Sequence, residues 1–398
     1  MKILQICHRV PYPPIDGGNI AMLNMAKSLA AGGAEVHMFA LNTRKHFLPP
    51  DTFPSSLRDA LHFNCETIDT RVTIQGAMRN LITSGSYNVI RFYSREVELR
   101  LIKILEEEQF DVVQLETLFT SPYISTIRKH SKASICLRAH NAEHIIWERL
   151  AASDKNIFRK KYLKFLSARL KKVELEVLNE IDFLVPITTV DEQIFRQMGY
   201  TKPALSLPLG VDLNDYPYKP PSEKELSLFH LGSMDWLPNV EGVEWFLKSC
   251  WPAIHEKFSD LKLFLAGRNF PESISNANHK GVICEGRIEN ANAYMADKQI
   301  MIVPLLSGSG MRVKIVQGMA LGKTIISTSI GAEGIHVENG KNILLADSPM
   351  EFLQAVKKCM ADPAYCFSIG KSARELVEKD YSNLSIGKKL IEFYSQKH

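Results

Sequence analysis

Long apolar runs are missing from this 398-residue chain. No stretch reaches the roughly 20 residues a membrane-spanning helix needs, so it is not expected to be integral to a membrane. The opening MKILQICHRV reads as a strand and lacks the long apolar core of a secretory signal. Close cysteine pairs are missing as well. Cys7, Cys65, Cys136, Cys250, Cys284, Cys359 and Cys366 lie far apart, which argues against a zinc site or a disulfide framework and fits a reducing, cytoplasmic compartment. Charge of one sign is also lacking: 48 Lys and Arg stand against 44 Asp and Glu, a net +4, so no nucleic acid is expected as partner. No G-x-G-x-x-G follows the first strand. LGKT at Leu321 to Thr324 has Gln317 where a Walker loop needs its first glycine, and it ends a helix, so neither a P-loop nor a dinucleotide fold is supported.

What is present is an ordinary globular composition, 45% hydrophobic and 23% charged, long enough for two domains with separate cores. Strands are expected at Lys2 to Cys7, Glu35 to Leu41, Asp111 to Glu116, Ser134 to Ala139, Ile181 to Thr188 and Ala204 to Leu209, with a helix over Asn19 to Ala31. PLGVDLNDYPYKPP, residues 208–221, holds four prolines and reads as a linker. Beyond it the alternation resumes, with strands at Leu226 to Leu231, Leu261 to Ala266, Val282 to Glu285 and Ile300 to Leu306. The expectation is α/β: two parallel-sheet domains, 1–207 and 222–381, facing one another across a cleft. A final helix within 382–398 is expected to return and pack on the first domain.

The most informative stretch is QIMIVPLLSGSGMRVKIVQGMALGKTIISTSIGAEG, residues 299–334. A buried strand runs into a Ser/Gly loop, and the loop opens a helix whose first turn carries Arg312 and Lys314. Gly308 and Gly310 remove side chains that would keep an anion from the backbone, and the first N–H groups of a helix have no internal partner. Two glycines alone would fit an ordinary loop. Two cations at the same helix start point instead to a diphosphate.

Two further places stand out. The connection from Cys7 to Gly18 is long and proline-stiffened, ending in Asp16-Gly17-Gly18 at a helix start. It fits an anion or acceptor contact and equally a plain surface loop. His140-Asn141-Ala142-Glu143-His144 follows a strand directly, where parallel sheets collect their ligands, and that position alone singles out His140. The basic segment Lys155 to Lys172, interleaved with Phe158, Tyr162 and Phe165, reads as a helix with one core face and one solvated cationic face; peripheral contact with an anionic membrane is compatible with that.

Taken together, the PPIDGG loop (Pro13 to Gly18), RAHNAEH (Arg138 to His144), PLGVD (Pro208 to Asp212), GSMDWLPNVEG (Gly232 to Gly242) and SGSGMRVKIVQGMALGK followed by GAEG resemble glycosyltransferase family 4, the retaining enzymes of GT-B fold. The resemblance covers almost the whole chain. It implies a metal-independent hexosyltransferase, without a cofactor, that uses a UDP- or GDP-type nucleotide sugar. Its acceptor would be a glycan or a lipid-linked glycan of cell-surface polysaccharide synthesis, and its place the cytoplasm or the inner face of the membrane. By match of motif, His140, Arg312 and Lys314 would be catalytic. Gly17, Gly18, Arg287, Ile288, Gly308, Ser309, Gly310, Met311 and Gln317 would lie on the donor, and Asp16, Asn141 and Glu143 on the acceptor. One departure matters: the family's two glutamates, eight residues apart, are here Ser309 and Gln317. A charge-assisted bond to the donor would thus become a neutral one. A GT-B scaffold that binds without turnover, or an epimerase or phosphorylase of the same architecture, are the alternatives.

Overall fold

A computed structural model of the chain describes residues 1–14, 16–73, 85–154, 156–218, 226–275, 279–308 and 311–396. Ser309, Gly310, Lys155 and the end of the expected linker, 219–221, lie outside the described residues. The chain divides into two compact units: unit 1 is Met1–Gly210 with Asn383–His398, and unit 2 is Val211–Ser382.

Each unit is a six-stranded, wholly parallel sheet. Unit 1 has β1 (Lys2–Cys7), β2 (Glu35–Thr43), β3 (Asn64–Ile68), β4 (Val112–Glu116), β5 (Ser134–Arg138) and β6 (Phe183–Leu184), in the order β3-β2-β1-β4-β5-β6. Unit 2 has β7 (Leu228–Leu231), β8 (Leu263–Ala266), β9 (Val282–Gly286), β10 (Ile300–Val303), β11 (Thr324–Ser327) and β12 (Leu344–Leu345), in the order β12-β11-β10-β7-β8-β9. The central strands are apolar on both faces, as a sheet covered by helices on both sides requires. In β1 Ile3, Leu4, Ile6 and Cys7 are all buried, and so is every residue of β10. In each sheet the order reverses between two neighbours, β1 and β4 in unit 1, β7 and β10 in unit 2. At such reversals the connections leave in opposite directions and open a crevice at the carboxyl ends.

Several elements depart from expectation for local reasons. The strand expected over Ile181 to Thr188 is only Phe183–Leu184, because Pro186 has no N–H to continue a ladder. Its neighbours still pair: Val185 N–H donates to Leu137 O and Ile187 N–H to Ala139 O. The strand expected over Ala204 to Leu209 is a single bridge, Leu184 to Ala204, between Pro203 and Pro208. Strands β3 and β12 and the Glu143–Ser153 helix were not foreseen; β12 is two residues long and β3 is largely half-buried, so neither shows a strand's apolar period.

The Asn383–Ser395 helix belongs to unit 1 and lies on the Gly17–Ala31 helix. A Cβ on Gly387 would stand 1.7 Å from Ser28 O, so only glycine permits this approach. Ile386 and Leu390 are buried there, Ser28 Oγ–H donates to Asn383 Oδ1 at 3.0 Å, and Tyr394 Oη–H donates to Gln114 Oε1 at 2.7 Å on β4.

Candidate active site

In unit 2 the reversal of strand order brings together the loops after β7 and β10. Gly232 follows β7, and a Cβ there would lie 2.8 Å from Asn239 Nδ2 and 3.0 Å from His230 Nε2. A glycine at 232 is therefore what lets the buried Asn239 settle against the strand end, where its Nδ2 donates to Ser233 O at 2.8 Å. His230 is buried with Nδ1 3.1 Å from Ile302 O, so that nitrogen carries the proton and Nε2 is an acceptor. Burial holds this imidazole neutral, its pKa well below the ordinary value.

The Val313–Ala320 helix begins after β10, with Arg312 at its cap. Arg312 is buried, its Cζ 4.9 Å from the ring centre of Trp236, the geometry of a cation–π contact. Gly308 has φ +114, and a Cβ on it would meet Arg312 Nη2 at 2.7 Å and Trp236 at 3.0 Å. The loop therefore closes over this pair only as glycine. In the helix's first turn Lys314 Nζ donates to Asn239 Oδ1 at 3.0 Å. Burial, with Arg312 beside it, pulls the Lys314 ammonium down to about 7. Among the described residues Lys314 has no carboxylate within 4 Å. Positive charge held at a helix start without a counter-ion stabilises a bound or departing diphosphate.

In unit 1 the corresponding place is the carboxyl ends of β1, β4 and β5. Glu116 ends β4, fully buried, and accepts from Gln5 Nε2 at 2.9 Å and Gln114 Nε2 at 2.7 Å. Its second oxygen lies 2.7 Å from His140 Nε2 and 3.7 Å from Arg138 Nε. Glu116 thus joins the imidazole of His140, the guanidinium of Arg138 and two amides into one buried group at the ends of β1, β4 and β5. Thr117 follows Glu116 with φ +75, a strained backbone for a β-branched residue. Its hydroxyl lies 3.3 Å from His8 Nδ1, and burial pushes the His8 imidazole down to about 3.

Residues 225–362 match the family of glycosyl transferases group 1. Over 97% of both chains the sequence is 23% identical to an uncharacterized 44.6 kDa protein in the cps region of Klebsiella pneumoniae. Among solved structures, the HepE protein of Anabaena in complex with UDP superposes with a TM-score of 0.68 at 13% identity, covering 99% of this chain and 100% of that one. Sucrose-phosphate synthase from Thermosynechococcus elongatus gives 0.66 at 17% identity, over 100% and 98%. The matched region is a group 1 glycosyltransferase domain, and the fold is GT-B.

Within this group 1 domain the structure brings Gly308, Arg312 and Lys314 together with two residues that sequence reading did not assign, Trp236 and Asn239. Both sit in GSMDWLPNVEG. Met311 is half-buried next to Arg312. Gln317, one helical turn beyond Lys314, donates from Nε2 to Tyr216 Oη at 2.9 Å. Arg287 and Ile288 follow β9 just past Gly286, whose φ is +68 and whose carbonyl accepts from Gly267 N–H at 2.7 Å.

In unit 1, Asp16 caps the Gly17–Ala31 helix, accepting from Asn19 N–H at 2.9 Å and from Arg9 Nη2 at 2.6 Å. Gly17 is exposed, and a Cβ on Gly18 would meet that Arg9 nitrogen at 2.6 Å. Asn141 is half-buried, while Glu143 is buried, and burial beside Glu174 and Asp191 raises its carboxyl to about 8. Glu116, His140's partner, was read only as the end of a strand. Its signal was a carboxylate closing a central strand, VVQLE, that holds one other polar residue, Gln114. One group among the described residues has the makings of a metal site, Glu35, His37 and His62, at the opposite end of β2; Glu35 is already tied to Lys2 at 2.9 Å.

Proposed function

We propose that the protein is a retaining, metal-independent hexosyltransferase of family 4 that moves a sugar from a nucleotide diphosphate sugar to a glycan or lipid-linked acceptor of cell-surface polysaccharide. The observation that carries this is the cation pair at the Val313–Ala320 helix start, Arg312 on Trp236 and Lys314 on Asn239, inside a group 1 domain. Cleaving a glycosyl–phosphate bond places negative charge on the departing diphosphate, and a preorganised cation helps most at that moment. His140, oriented by Glu116, is the catalytic group of unit 1, and Asp16, Asn141 and Glu143 belong to the acceptor side. Solved neighbours hold UDP and UDP-glucose, which supports a uridine nucleotide here, with GDP-sugars the second choice. The relative in a cps region supports the polysaccharide context.

Incubation with UDP-glucose, UDP-galactose and GDP-mannose, following nucleoside diphosphate release, tests the reading. Release with one donor that disappears in R312A/K314A is expected; no release with any donor and no binding of UDP or GDP by calorimetry would overturn it. A non-catalytic nucleotide-binding scaffold is the second reading, favoured by the amide of Gln317 being engaged with Tyr216 where the family carries a glutamate. UDP binding without release or transfer from any donor would select it.

We place the protein in the cytoplasm, in peripheral contact with the inner face of the membrane. No helix among the described residues is long and apolar enough to cross one. The Ile157–Glu180 helix buries Leu163, Leu166 and Leu170 yet leaves Phe158 80% and Tyr162 48% exposed among lysines. Exposed aromatics among cations suit an anionic lipid surface. Vesicle sedimentation with F158A/Y162A reads this contact.

A further inference from the structure

The carboxyl ends of β1, β2, β3 and β4 surround a cavity of about 770 Å³ in unit 1 that neither the donor cluster nor the His140–Glu116 pair uses. Its charged lining is basic: Arg9 follows β1, Arg44 and Lys45 follow β2, Arg71 follows β3, and Arg91 enters from the short turn before Phe92. Five cations supplied by four separate segments to one concavity differ from a solvated basic helix face, where the charges lie on one element and diverge. Nothing in an apolar core requires them there.

Counter-ions are too few. Asp16 pairs with Arg9 at 2.6 Å, and Asp69 serves both Arg71, at 2.7 Å, and Arg44, at 3.5 Å. Among the described residues Lys45 and Arg91 have no carboxylate within 4 Å; Arg91 is held by the carbonyl oxygens of Thr70 and Asn88 and lies over Phe92 at 5.0 Å. Three positive charges are thus left uncompensated. The two histidines of the lining do not add to them: burial and neighbouring cations lower the pKa of His46, and His8 is neutral. The same lining carries an apolar part: Phe92 and Phe119 stack with ring centres 5.1 Å apart, and Val72 is exposed.

We propose that this cavity binds a diphosphate-bearing ligand, with the phosphates on the arginines and an apolar or sugar-ring portion on the Phe92–Phe119 wall; in the reading above, on which this step rests, that ligand is the acceptor. Arginine forks match phosphate oxygens two at a time. Charge decides the class: a diphosphate carrying two to three negative charges balances the excess, whereas one sugar carboxylate leaves two cations bare.

The test is calorimetric titration of the full chain with inorganic pyrophosphate, geranyl diphosphate and glucuronate, at low and high salt. It is run in wild type, in R312A/K314A, which lacks the donor cations, and in R44A/R91A. Pyrophosphate binding that persists in R312A/K314A, weakens with salt and drops tenfold or more in R44A/R91A is expected. R44K/R91K should retain binding within a few-fold, which separates charge from misfolding, and UDP affinity should be unchanged in R44A/R91A. Tighter binding of geranyl diphosphate than of pyrophosphate assigns the ligand to a lipid carrier; equal binding assigns it to a soluble sugar phosphate. Pyrophosphate binding lost in R312A/K314A, insensitivity to R44A/R91A, or binding of glucuronate alone would overturn the proposal. If UDP fails to bind while pyrophosphate behaves as expected, the donor reading falls and the anion site stands.

Discussion

Lys314 donates its ammonium to the amide oxygen of Asn239 at 3.0 Å, so a neutral group holds this cation at the helix start. An aspartate at 239 would have cancelled the charge. An amide fixes the ammonium's position and leaves its charge for a ligand, at the cost of an ammonium that burial pulls down to about 7.

That cost has a sign that can be measured. The folded pKa of Lys314, about 7, lies below the 10.5 of a free lysine, so between those values the unfolded chain holds more protons and stability rises with pH. The unliganded K314M protein should melt above wild type at pH 7, and the gap should close towards pH 10 in a thermal-shift series. Its affinity for a UDP-sugar should fall roughly ten- to hundredfold, the worth of a charge-assisted hydrogen bond. Wild-type affinity should weaken as pH rises above 7, because the bound diphosphate favours the protonated ammonium.

Glu116 Oε2 and His140 Nε2 lie 2.7 Å apart, and in the proposed transfer the two serve as one unit. H140A and E116Q should each lower the transfer rate about a hundredfold, and the double variant should be little worse than either single one. Steady-state kinetics on the three variants, with UDP binding as the control for an intact donor site, reads this. Additive losses would separate the two residues.

Glu143 carries the opposite pH signature. Its carboxyl is raised to about 8 by burial and by Glu174 and Asp191, against 4.5 for a free glutamate. The stability that a protonated Glu143 contributes is full below 4.5 and is lost as pH rises through 8. Glu143→Gln should therefore leave the stability near wild type at pH 5 and raise it at pH 8.5, by on the order of 1 kcal/mol or more in urea denaturation.

Among the described glycines of unit 2, Gly267 leaves the least room for a side chain. A Cβ there would stand 1.8 Å from Gly232 O, on a residue with φ +150. G267A should destabilise the protein by about 3 kcal/mol or more and spread the loops after β7 and β8. G286A, which has open space and only the unfavourable φ +68, should cost about 1 kcal/mol. Urea denaturation of both variants ranks them.

The sheets, and the closeness of Gly308, Arg312 and Lys314 at one helix start, were legible because their signals are local. Apolar runs such as IMIV mark buried parallel strands, and Gly308, Arg312 and Lys314 fall within seven residues of sequence at one helix start. Trp236 and Asn239 escaped because their role depends on strand order: β7 lies beside β10 only in the folded sheet, which sets residue 239 against residue 314. Glu116 escaped for the same reason, its partners being 24 residues ahead just past β5 and 111 behind on β1. The proline-broken strands near β6 were overcounted because apolar spacing does not register a missing N–H.

The contact between Tyr394 and Gln114 reaches further than the packing of one helix. Gln114 holds Glu116 and Glu116 holds His140, so the imidazole is braced from a residue made 254 positions after it. During translation Gln5 and Arg138 can hold Glu116 at once, but the Tyr394 contact that completes the set waits until unit 2 has left the ribosome. A polypeptide that ends before residue 394 therefore carries a first unit without its final helix, in which Gln114 lacks the hydroxyl that fixes its amide.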